Sequence, residues 1–303
     1  MLGGVRLSVE GDTLQVTGTD LDLTIVVETT VAGDTDGVVV APGRLVTDIV
    51  RALEPGAVGL ESGEDELRIT AGRSHFVVRT HPSEDFPRLP SPSGDPVGLP
   101  AAGLAEALRQ VTRAASGEDS RPILTGVLIT SEEKGLRLVA TDSYRLAVRD
   151  LPEAGLGAPG RKVLVPSRAL NELMRLLGSA SGEVTLRLGA HDATFEVGGV
   201  TLTTRLIEGE FPNYKTLIPS GYPNRLIVSR EGLLDAIRRV KLLARDATTP
   251  VRMALRPTGI ELTVITADTG TVGVAVDVEV TGFVSVHPKC GAEALQLPAE
   301  EVR

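Results

Sequence analysis

Two stretches of the sequence carry the residue types of an aspartic protease. ADTGT at residues 267–271 contains an Asp-Thr-Gly triplet, and TDS at residues 141–143 offers a second carboxylate. That chemistry needs two carboxylates in equivalent loops that share one proton. However, Asp268 is two positions out of register with Asp142 in the internal repeat of the chain, and Asp142 is followed by Ser-Tyr rather than by Ser/Thr-Gly. We therefore interpret both stretches as polar hairpin turns.

Other catalytic and metal-binding patterns are weaker still. His287 and Cys290, in the stretch HPKC, lie at the start of a predicted helix and lack a third group that would orient them. A single Cys cannot build a cysteine-rich zinc site, and the sequence has neither a GxGxxG motif nor a Walker-type phosphate loop. No metal-ligand spacing joins the four histidines, His75, His81, His191 and His287. None of these patterns demands a cofactor or a metal.

Composition indicates a folded protein of several domains. A length of 303 residues suits two or three domains, and 42% hydrophobic with 23% charged residues is typical of globular chains. A single Cys fits a reducing compartment, and we expect a cytoplasmic location because no apolar run is long enough to span a membrane and no signal peptide is recognisable. The formal net charge of −9 argues against a coat of nucleic acid but allows a local basic surface.

The most informative pattern is an internal repeat. Residues 2–20 align without a gap on residues 124–142 at an offset of 122, and residues 250–264 show the same strand-turn-strand pattern a third time. Strand periodicity alternates with two helices per unit. This predicts an α+β fold of three repeated domains, with helices on one face of antiparallel sheets.

The repeat extends into the helices and predicts where the domains end. Residues 40–53 resemble residues 165–177, and both indicate helices that begin at a Pro, while VHPKCGAEALQL at residues 286–297 is expected to start a third such helix. Ahead of its first strand the second unit has an amphipathic helix for which the first has no counterpart. We expect the first domain to lack an N-terminal strand and helix and the third to lack C-terminal strands, with boundaries at 1–94, 95–222 and 223–303.

Basic residues outnumber acidic ones in three of four predicted helices, 100–116, 166–178 and 229–245, while helix 41–54 is balanced. If the helices face one way, they form a basic surface on an acidic body, which suits sequence-independent contact with phosphates. The alternative is that these are ordinary solvated helix faces.

Two motifs resemble a known family. ATDSYRLAV at residues 140–148 resembles the ATDGHRLA signature of the bacterial DNA sliding clamp family, the DNA polymerase III beta subunits. EGEFPNYKTLIP at residues 208–219 resembles the family's DGRFPDYRRVLP segment. The resemblance implies that two chains close head to tail into a ring, with helices inside around duplex DNA and sheets outside. It also implies a processivity factor that tethers DNA polymerase III and clamp-loader subunits through short linear peptides.

The resemblance also implies site residues. A groove for partner peptides would include Leu124, Thr141, Ser143, Tyr144, Arg145, Leu146, Pro212, Thr216, Leu217 and Thr248. Residues facing DNA would be Arg109, Arg113, Arg121, Arg168, Arg175, Arg238, Arg239 and Lys241. The contact between two chains would involve Arg73, His75, Phe76 and Val78 on one side and Leu242 and Leu243 on the other.

Several positions depart from the family pattern. Ser143 and Tyr144 replace the common Gly-His, and Thr216 stands where Arg is frequent, so the preferred peptide can differ. Because the first and third domains are expected to be incomplete, one alternative stays open: a diverged, truncated paralogue that does not encircle DNA but binds clamp partners or a clamp inhibitor. An aspartic-type enzyme is the third hypothesis.

Overall fold

The structure is a computed structural model that divides the chain into two compact units, residues 1–212 and 213–303. It describes residues 3–89, 91–152, 154–156, 160–178, 182–218, 229–244, 249–256, 259–266, 270–277 and 295–298. Over these residues, no helix is long and apolar enough to cross a membrane.

The first repeat consists of seven strands and one helix. Its elements are β1 (Gly4–Glu10), β2 (Thr13–Thr19), β3 (Leu23–Thr30), β4 (Gly37–Pro42), α1 (Gly43–Ala52), β5 (Gly59–Ser62), β6 (Glu66–Ala71) and β7 (Ser74–Arg79), followed by a 3-10 turn at Ser83–Asp85. The last three strands form a separate antiparallel sheet in the order β5-β6-β7.

The second repeat has one more strand and one more helix at its start. Its elements are β8 (Pro96–Pro100), α2 (Ala101–Val111), β9 (Gly126–Glu132), β10 (Gly135–Thr141), β11 (Leu146–Pro152), β12 (Lys162–Pro166), α3 (Ser167–Leu177), β13 (Glu183–Leu188), β14 (Asp192–Val197) and β15 (Val200–Arg205). Two 3-10 turns, Thr112–Ala114 and Pro122–Thr125, lie between α2 and β9. The added β8 and α2 are the segment that the sequence predicts to be absent from the first repeat.

The second compact unit holds the third repeat. After a 3-10 turn at Tyr214–Leu217 come α4 (Arg230–Lys241), β16 (Pro250–Arg256), β17 (Gly259–Thr266), β18 (Gly270–Asp277) and β19 (Leu295–Pro298). Its sheet has the order β18-β17-β16-β19, which matches the order β11-β10-β9-β12 in the second repeat. The predicted α+β class with antiparallel sheets is confirmed.

The register of the strands corrects one prediction. Residues 295–297 belong to strand β19 and pair with β16, so the helix expected to start within residues 286–297 does not include them; residues 286–294 lie outside the described part of the chain. The reason is the position of the Pro that precedes each helix of this kind. Pro42 pairs with Gly4, Pro166 with Gly126 and Pro298 with Pro250, so Pro298 is the third counterpart.

One continuous sheet joins the first two repeats. Eight strands follow the order β4-β1-β2-β3-β15-β14-β13-β8, and the join is the antiparallel pairing of β3 with β15, in which Ile25 lies opposite Leu202. Backbone hydrogen bonds extend it beyond the paired residues, from Glu28 N to the Gly199 carbonyl at 3.0 Å and from Arg205 N to the Asp22 carbonyl at 2.9 Å. We call this join the β3–β15 seam.

The core of the second repeat is filled from both helices. Leu104 and Leu108 of α2 and Leu170 and Leu173 of α3 are fully buried at the three- and four-residue spacing of an amphipathic helix, around Phe195 of β14. The first repeat has a smaller core that contains Leu7, Ile49, Leu67, Ile69 and Val78.

Equivalent positions of the two repeats differ sharply in exposure. Leu60 of β5 pairs with Ile69, as Leu186 of β13 pairs with Phe195, yet Leu60 is 40% exposed and Leu186 1%. In the second repeat β8 pairs with β13 and α2 packs on α3. The apolar face of β5 and α1 has no such cover within the described residues.

Candidate peptide-binding and nucleic-acid interfaces

The signature ATDSYRLAV forms the turn between β10 and β11. Oδ1 of Asp142 accepts hydrogen bonds from the backbone N–H of Tyr144 at 2.9 Å and of Arg145 at 3.0 Å. Oγ1 of Thr141 accepts from the N–H of Ser143 at 3.1 Å and donates to the carbonyl of Arg145 at 2.7 Å. Side chains at the start of the turn thus satisfy the backbone groups that the turn leaves open.

The first repeat contains the same turn between β2 and β3. Asp20 accepts from the N–H of Asp22 at 3.2 Å and of Leu23 at 2.8 Å, and Thr19 accepts from the N–H of Leu21 at 3.0 Å. Ser143 has φ 83° and Leu21 has φ 79°, and they are the non-glycine residues with positive φ in the described part of the chain. The Thr-Asp pair is therefore a turn-forming element in both repeats.

What differs between the two turns is the side chains that they present. Tyr144 is 89% exposed. Arg145 folds back, with its Nε 3.0 Å from Oδ2 of Asp142, and Leu146 is half-buried at the start of β11. The turn of the second repeat thus offers an aromatic ring to solvent beside a braced guanidinium and a partly covered Leu.

Each compact unit contains some of the other residues predicted to line the groove. In the first unit, buried Leu124 lies in the short 3-10 turn Pro122–Thr125 that follows Arg121, and exposed Pro212 ends the unit. In the second unit Thr216 donates to the Asn213 carbonyl at 2.9 Å and Leu217 is 65% exposed. Thr248 lies outside the described residues.

The side chains predicted to face DNA are mostly ion-paired. Three helical arginines pair with the acid three residues before them: Arg109 with Glu106, Arg175 with Glu172 at 3.0 Å and Arg238 with Asp235 at 3.4 Å. These arginine side chains are all more than half exposed, so the pairs contribute little to stability and a phosphate can compete for the guanidinium. The helix compositions gave the balance of basic and acidic residues but not which of them pair.

The other predicted DNA contacts divide into two kinds. Arg168 of α3 reaches Asp20 of the first repeat at 2.7 Å, and Arg121 contacts the turn that carries Tyr144. Arg113, Arg239 and Lys241 lie on or just beyond the helices, the two arginines exposed and Lys241 half-buried. Arg168 and Arg121 therefore have structural partners that the sequence did not indicate.

The strand predicted to meet a second chain is an edge strand. β7 lies at the edge of its sheet, with His75 exposed, Phe76 half-buried and Val78 buried in the core of the first repeat. Val77, absent from the predicted set, is 59% exposed. The period-two alternation of a strand was the signal that could have found it. Of the two leucines after α4, Leu242 is 77% exposed and Leu243 packs partly into the core of the second unit.

Within the described part of the chain, no group of three His, Cys, Asp or Glu residues could hold a metal ion.

Comparison with known protein families identifies three successive domains along the chain, as the repeats do. Family models for the DNA polymerase III beta subunit match in order: the N-terminal domain over residues 1–90, the central domain over 98–213 and the C-terminal domain over 215–285.

Relatives and solved structures agree with the family models. The beta sliding clamp of Caulobacter vibrioides is 34% identical over 292 residues, which is 93% of this chain and 78% of the relative. The Escherichia coli K12 beta sliding clamp is 30% identical over 87% of this chain and 72% of its own length. A crystal structure of the C. crescentus beta sliding clamp superposes with a TM-score of 0.83 at 34% identity, covering 93% of this chain and 77% of that one.

A second structure, a sliding clamp from Bartonella birtlesii bound to griselimycin, has a TM-score of 0.85 at 30% identity and covers 99% of this chain and 80% of that one. Together with the three repeats and the turn signature, these matches show that the chain belongs to the family of bacterial DNA polymerase III beta subunits, the beta sliding clamps.

Proposed function

We propose that this protein is a cytoplasmic sliding clamp, a non-catalytic processivity factor of DNA polymerase III. Two chains join head to tail around duplex DNA, and replication proteins attach through short linear peptides. The observation that carries the proposal is the β3–β15 seam, because it joins neighbouring clamp repeats edge to edge by backbone hydrogen bonds. Three domains with boundaries at 1–94, 95–222 and 223–303 supply the repeating units.

The seam predicts how a second chain attaches. β7 is the counterpart of β15, since Ser74 and Val200 each follow a two-residue turn, and β7 is an edge strand. β18 is the counterpart of β3, since Thr271 pairs with Ile265 as Thr24 pairs with Thr19. Among the strands that the structure describes, β18 is also at the edge of its sheet. Free edges of this kind are templates for strand pairing.

The seam also gives the register of that contact. Thr203 lies opposite Thr24 in the seam, and their counterparts are Val77 and Thr271. We therefore propose that Val77 of one chain lies opposite Thr271 of the next. Directly opposed residues of an antiparallel pair have Cβ atoms about 4.5–5.5 Å apart, which is close enough for a disulfide with small adjustments.

Cysteine cross-linking tests the ring. In a Cys290→Ser background, Val77→Cys with Thr271→Cys is expected to give a covalent dimer under mild oxidation, and the dimer is expected to stay on circular DNA through a high-salt wash. Val77→Cys with Gly273→Cys, two residues out of register, is the control and is expected to cross-link poorly. A chain that light scattering finds monomeric at micromolar concentration would favour the paralogue that does not encircle DNA.

DNA contact is proposed to come from basic side chains on and after the helices, the exposed Arg109, Arg113, Arg168, Arg175, Arg238 and Arg239 and the half-buried Lys241. Contacts to phosphates are sequence-independent and weaken with salt, since each one releases counterions. Replacing both Arg238 and Arg239 with Gln is expected to lower affinity for every duplex equally and to reduce the slope of log affinity against log salt by about 2. An unchanged slope would remove α4 from the DNA-facing surface.

Peptide binding is proposed to centre on the turn that presents Tyr144. Leu146, Leu124 and Pro212 supply apolar surface, and Arg145 and Thr141 hold the turn in shape. The family resemblance adds Thr216, Leu217 and Thr248. The clamp of B. birtlesii binds griselimycin, so this compound is a probe for the site. Leu146→Asp is expected to abolish griselimycin binding, and equal affinity for wild type and variant would refute the assignment.

A further inference from the structure

We infer that Arg121 is a positioning residue of the peptide-binding turn, which it holds through the carbonyl of Asp142 and the hydroxyl of Ser143, rather than a contact to DNA. This inference rests on the proposed function of that turn. It changes the role of Arg121 from a predicted DNA contact to a contact within the protein. It also gives a role to the Ser143 hydroxyl, which the Gly common at this position of the family would lack.

The geometry of the guanidinium supports this role. Nη1 of Arg121 donates to the Asp142 carbonyl at 3.4 Å and to Oγ of Ser143 at 3.3 Å. Each bond is long and weak by itself, but both come from one nitrogen of a planar group whose orientation is fixed at the other end. There, Nη2 donates to Oε2 of Glu118 at 2.8 Å. A guanidinium held between Glu118 and the turn is less available to a phosphate.

The segment that carries Arg121 is itself fixed against the fold. The N–H of Arg121 donates to the Glu118 carbonyl at 3.2 Å, and the Arg121 carbonyl accepts from the N–H of Leu124 at 2.9 Å. The N–H of Ser116 donates to the Leu124 carbonyl at 2.8 Å. Arg121 thus joins two parts of the proposed peptide site, the short turn with buried Leu124 and the turn with exposed Tyr144.

The first repeat shows that Ser143 does more than complete the turn. Leu21 occupies the same position with nearly the same φ, and the same Thr and Asp brace it, although Leu has no hydroxyl. The backbone conformation therefore forms without the Ser143 hydroxyl. The contact with Arg121 is an additional brace, and it occurs in the repeat whose turn presents Tyr144.

Binding measurements with griselimycin and duplex DNA separate the two roles. Arg121→Gln is expected to weaken griselimycin binding by about fivefold, since it removes two weak charge-assisted hydrogen bonds, and to leave the salt slope of DNA binding unchanged. Ser143→Ala removes only the bond to the hydroxyl and is expected to weaken griselimycin binding less than Arg121→Gln does. The double variant is expected to bind no more weakly than Arg121→Gln alone, because Arg121→Gln already removes the contact with Ser143. Arg109→Gln is the matched control, expected to lower the salt slope by about 1 and to leave griselimycin binding unchanged.

The outcomes distinguish this inference from the proposed function. If Leu146→Asp abolishes griselimycin binding while Arg121→Gln binds like wild type, the positioning role is wrong although the site is right. A salt slope lowered by about 1 in Arg121→Gln would return Arg121 to the DNA surface. If Leu146→Asp has no effect, the site itself is wrong. Should Arg121→Gln fail to fold, Ser143→Ala decides alone, because it leaves the Thr141 and Asp142 braces in place.

Discussion

Nη2 of Arg168 lies 2.7 Å from Oδ2 of Asp20, which ties the first turn of α3 in the second repeat to the β2–β3 turn of the first. Burial acts to raise the pKa of Asp20, but the N–H of Leu23 and the Arg168 guanidinium outweigh it, so the pKa lies below its ordinary value. The pair is partly exposed, with 73% of the Arg168 side chain and 33% of the Asp20 side chain accessible.

Arg168→Gln is expected to raise the pKa of Asp20 and to lower the free energy of unfolding by less than about 1 kcal/mol at pH 7 and low salt. A carboxylate whose pKa is lower in the folded than in the unfolded protein stabilises the folded state at pH values above its unfolded pKa of about 3.9. This stabilisation is lost as the pH falls through the folded pKa. Urea unfolding at pH 7 and pH 3 checks this. A difference that persists undiminished at pH 3 or in 1 M salt would mean that Arg168 acts by packing rather than by charge.

Removing the carboxylate of the second turn is expected to cost more. Asp142→Ala leaves the backbone N–H groups of Tyr144 and Arg145 without their acceptor and removes the ion pair with the Arg145 guanidinium, and should lower the free energy of unfolding by about 2 kcal/mol. Asp142→Asn, which keeps one acceptor oxygen, should cost less. The measurement is urea unfolding followed by circular dichroism, and equal losses for Ala and Asn would show that the hydrogen bonds are not the cause.

Backbone conformation predicts a stabilising change at Leu21. Its φ of 79° brings the Cβ of an L-residue too close to its own backbone, and its side chain is 54% exposed, so little packing is lost on truncation. Leu21→Gly should raise the free energy of unfolding by up to about 1 kcal/mol. Leu21→Ala keeps the Cβ and is the control; a gain equal to that of Gly would locate the effect in the exposed side chain instead.

Because one apolar face of the first repeat is uncovered, the same Leu→Ala substitution is expected to cost different amounts of stability at equivalent positions of the two repeats. Leu186→Ala should lower the free energy of unfolding by about 2–5 kcal/mol because Leu186 is fully buried, whereas Leu60→Ala, at the matching position, should cost less than about 1 kcal/mol. Thermal unfolding of both variants checks this. A large loss from Leu60→Ala would show that this face is covered in solution.

Local patterns predicted much of the fold. The helices expected at 41–54, 100–116, 166–178 and 229–245 are found at Gly43–Ala52, Ala101–Val111, Ser167–Leu177 and Arg230–Lys241. The positions of these helices can be predicted because a Pro before the helix and an apolar stripe along it are local features of the sequence. The helix predicted to begin within residues 286–297 does not include residues 295–297, because these form a strand in which Pro298 is the counterpart of Pro42 and Pro166.

Local patterns of this kind do not predict contacts between residues that are far apart in the sequence. Asp20 and Arg168 meet only because the β3–β15 seam brings the two repeats together, and nothing near either residue in the sequence records it. Likewise, the approach of Arg121 to Ser143 depends on how two loops fold against each other, so residues near Arg121 in the sequence do not predict it. The exposure of Val77, in contrast, follows from the alternation of side chains along a strand.

The β3–β15 seam has a consequence for how such proteins diverge. A joint made by main-chain groups places few demands on the side chains along it: Thr24 faces Thr203 and Ile25 faces Leu202, and many other pairs would preserve the same hydrogen bonds. Sequences can therefore drift to 30% identity, as between this chain and the E. coli clamp, without losing the connection between repeats. Selection is left free to act on the surfaces that meet other molecules, and a change such as Gly-His to Ser-Tyr can alter the choice of partner while the scaffold stays the same.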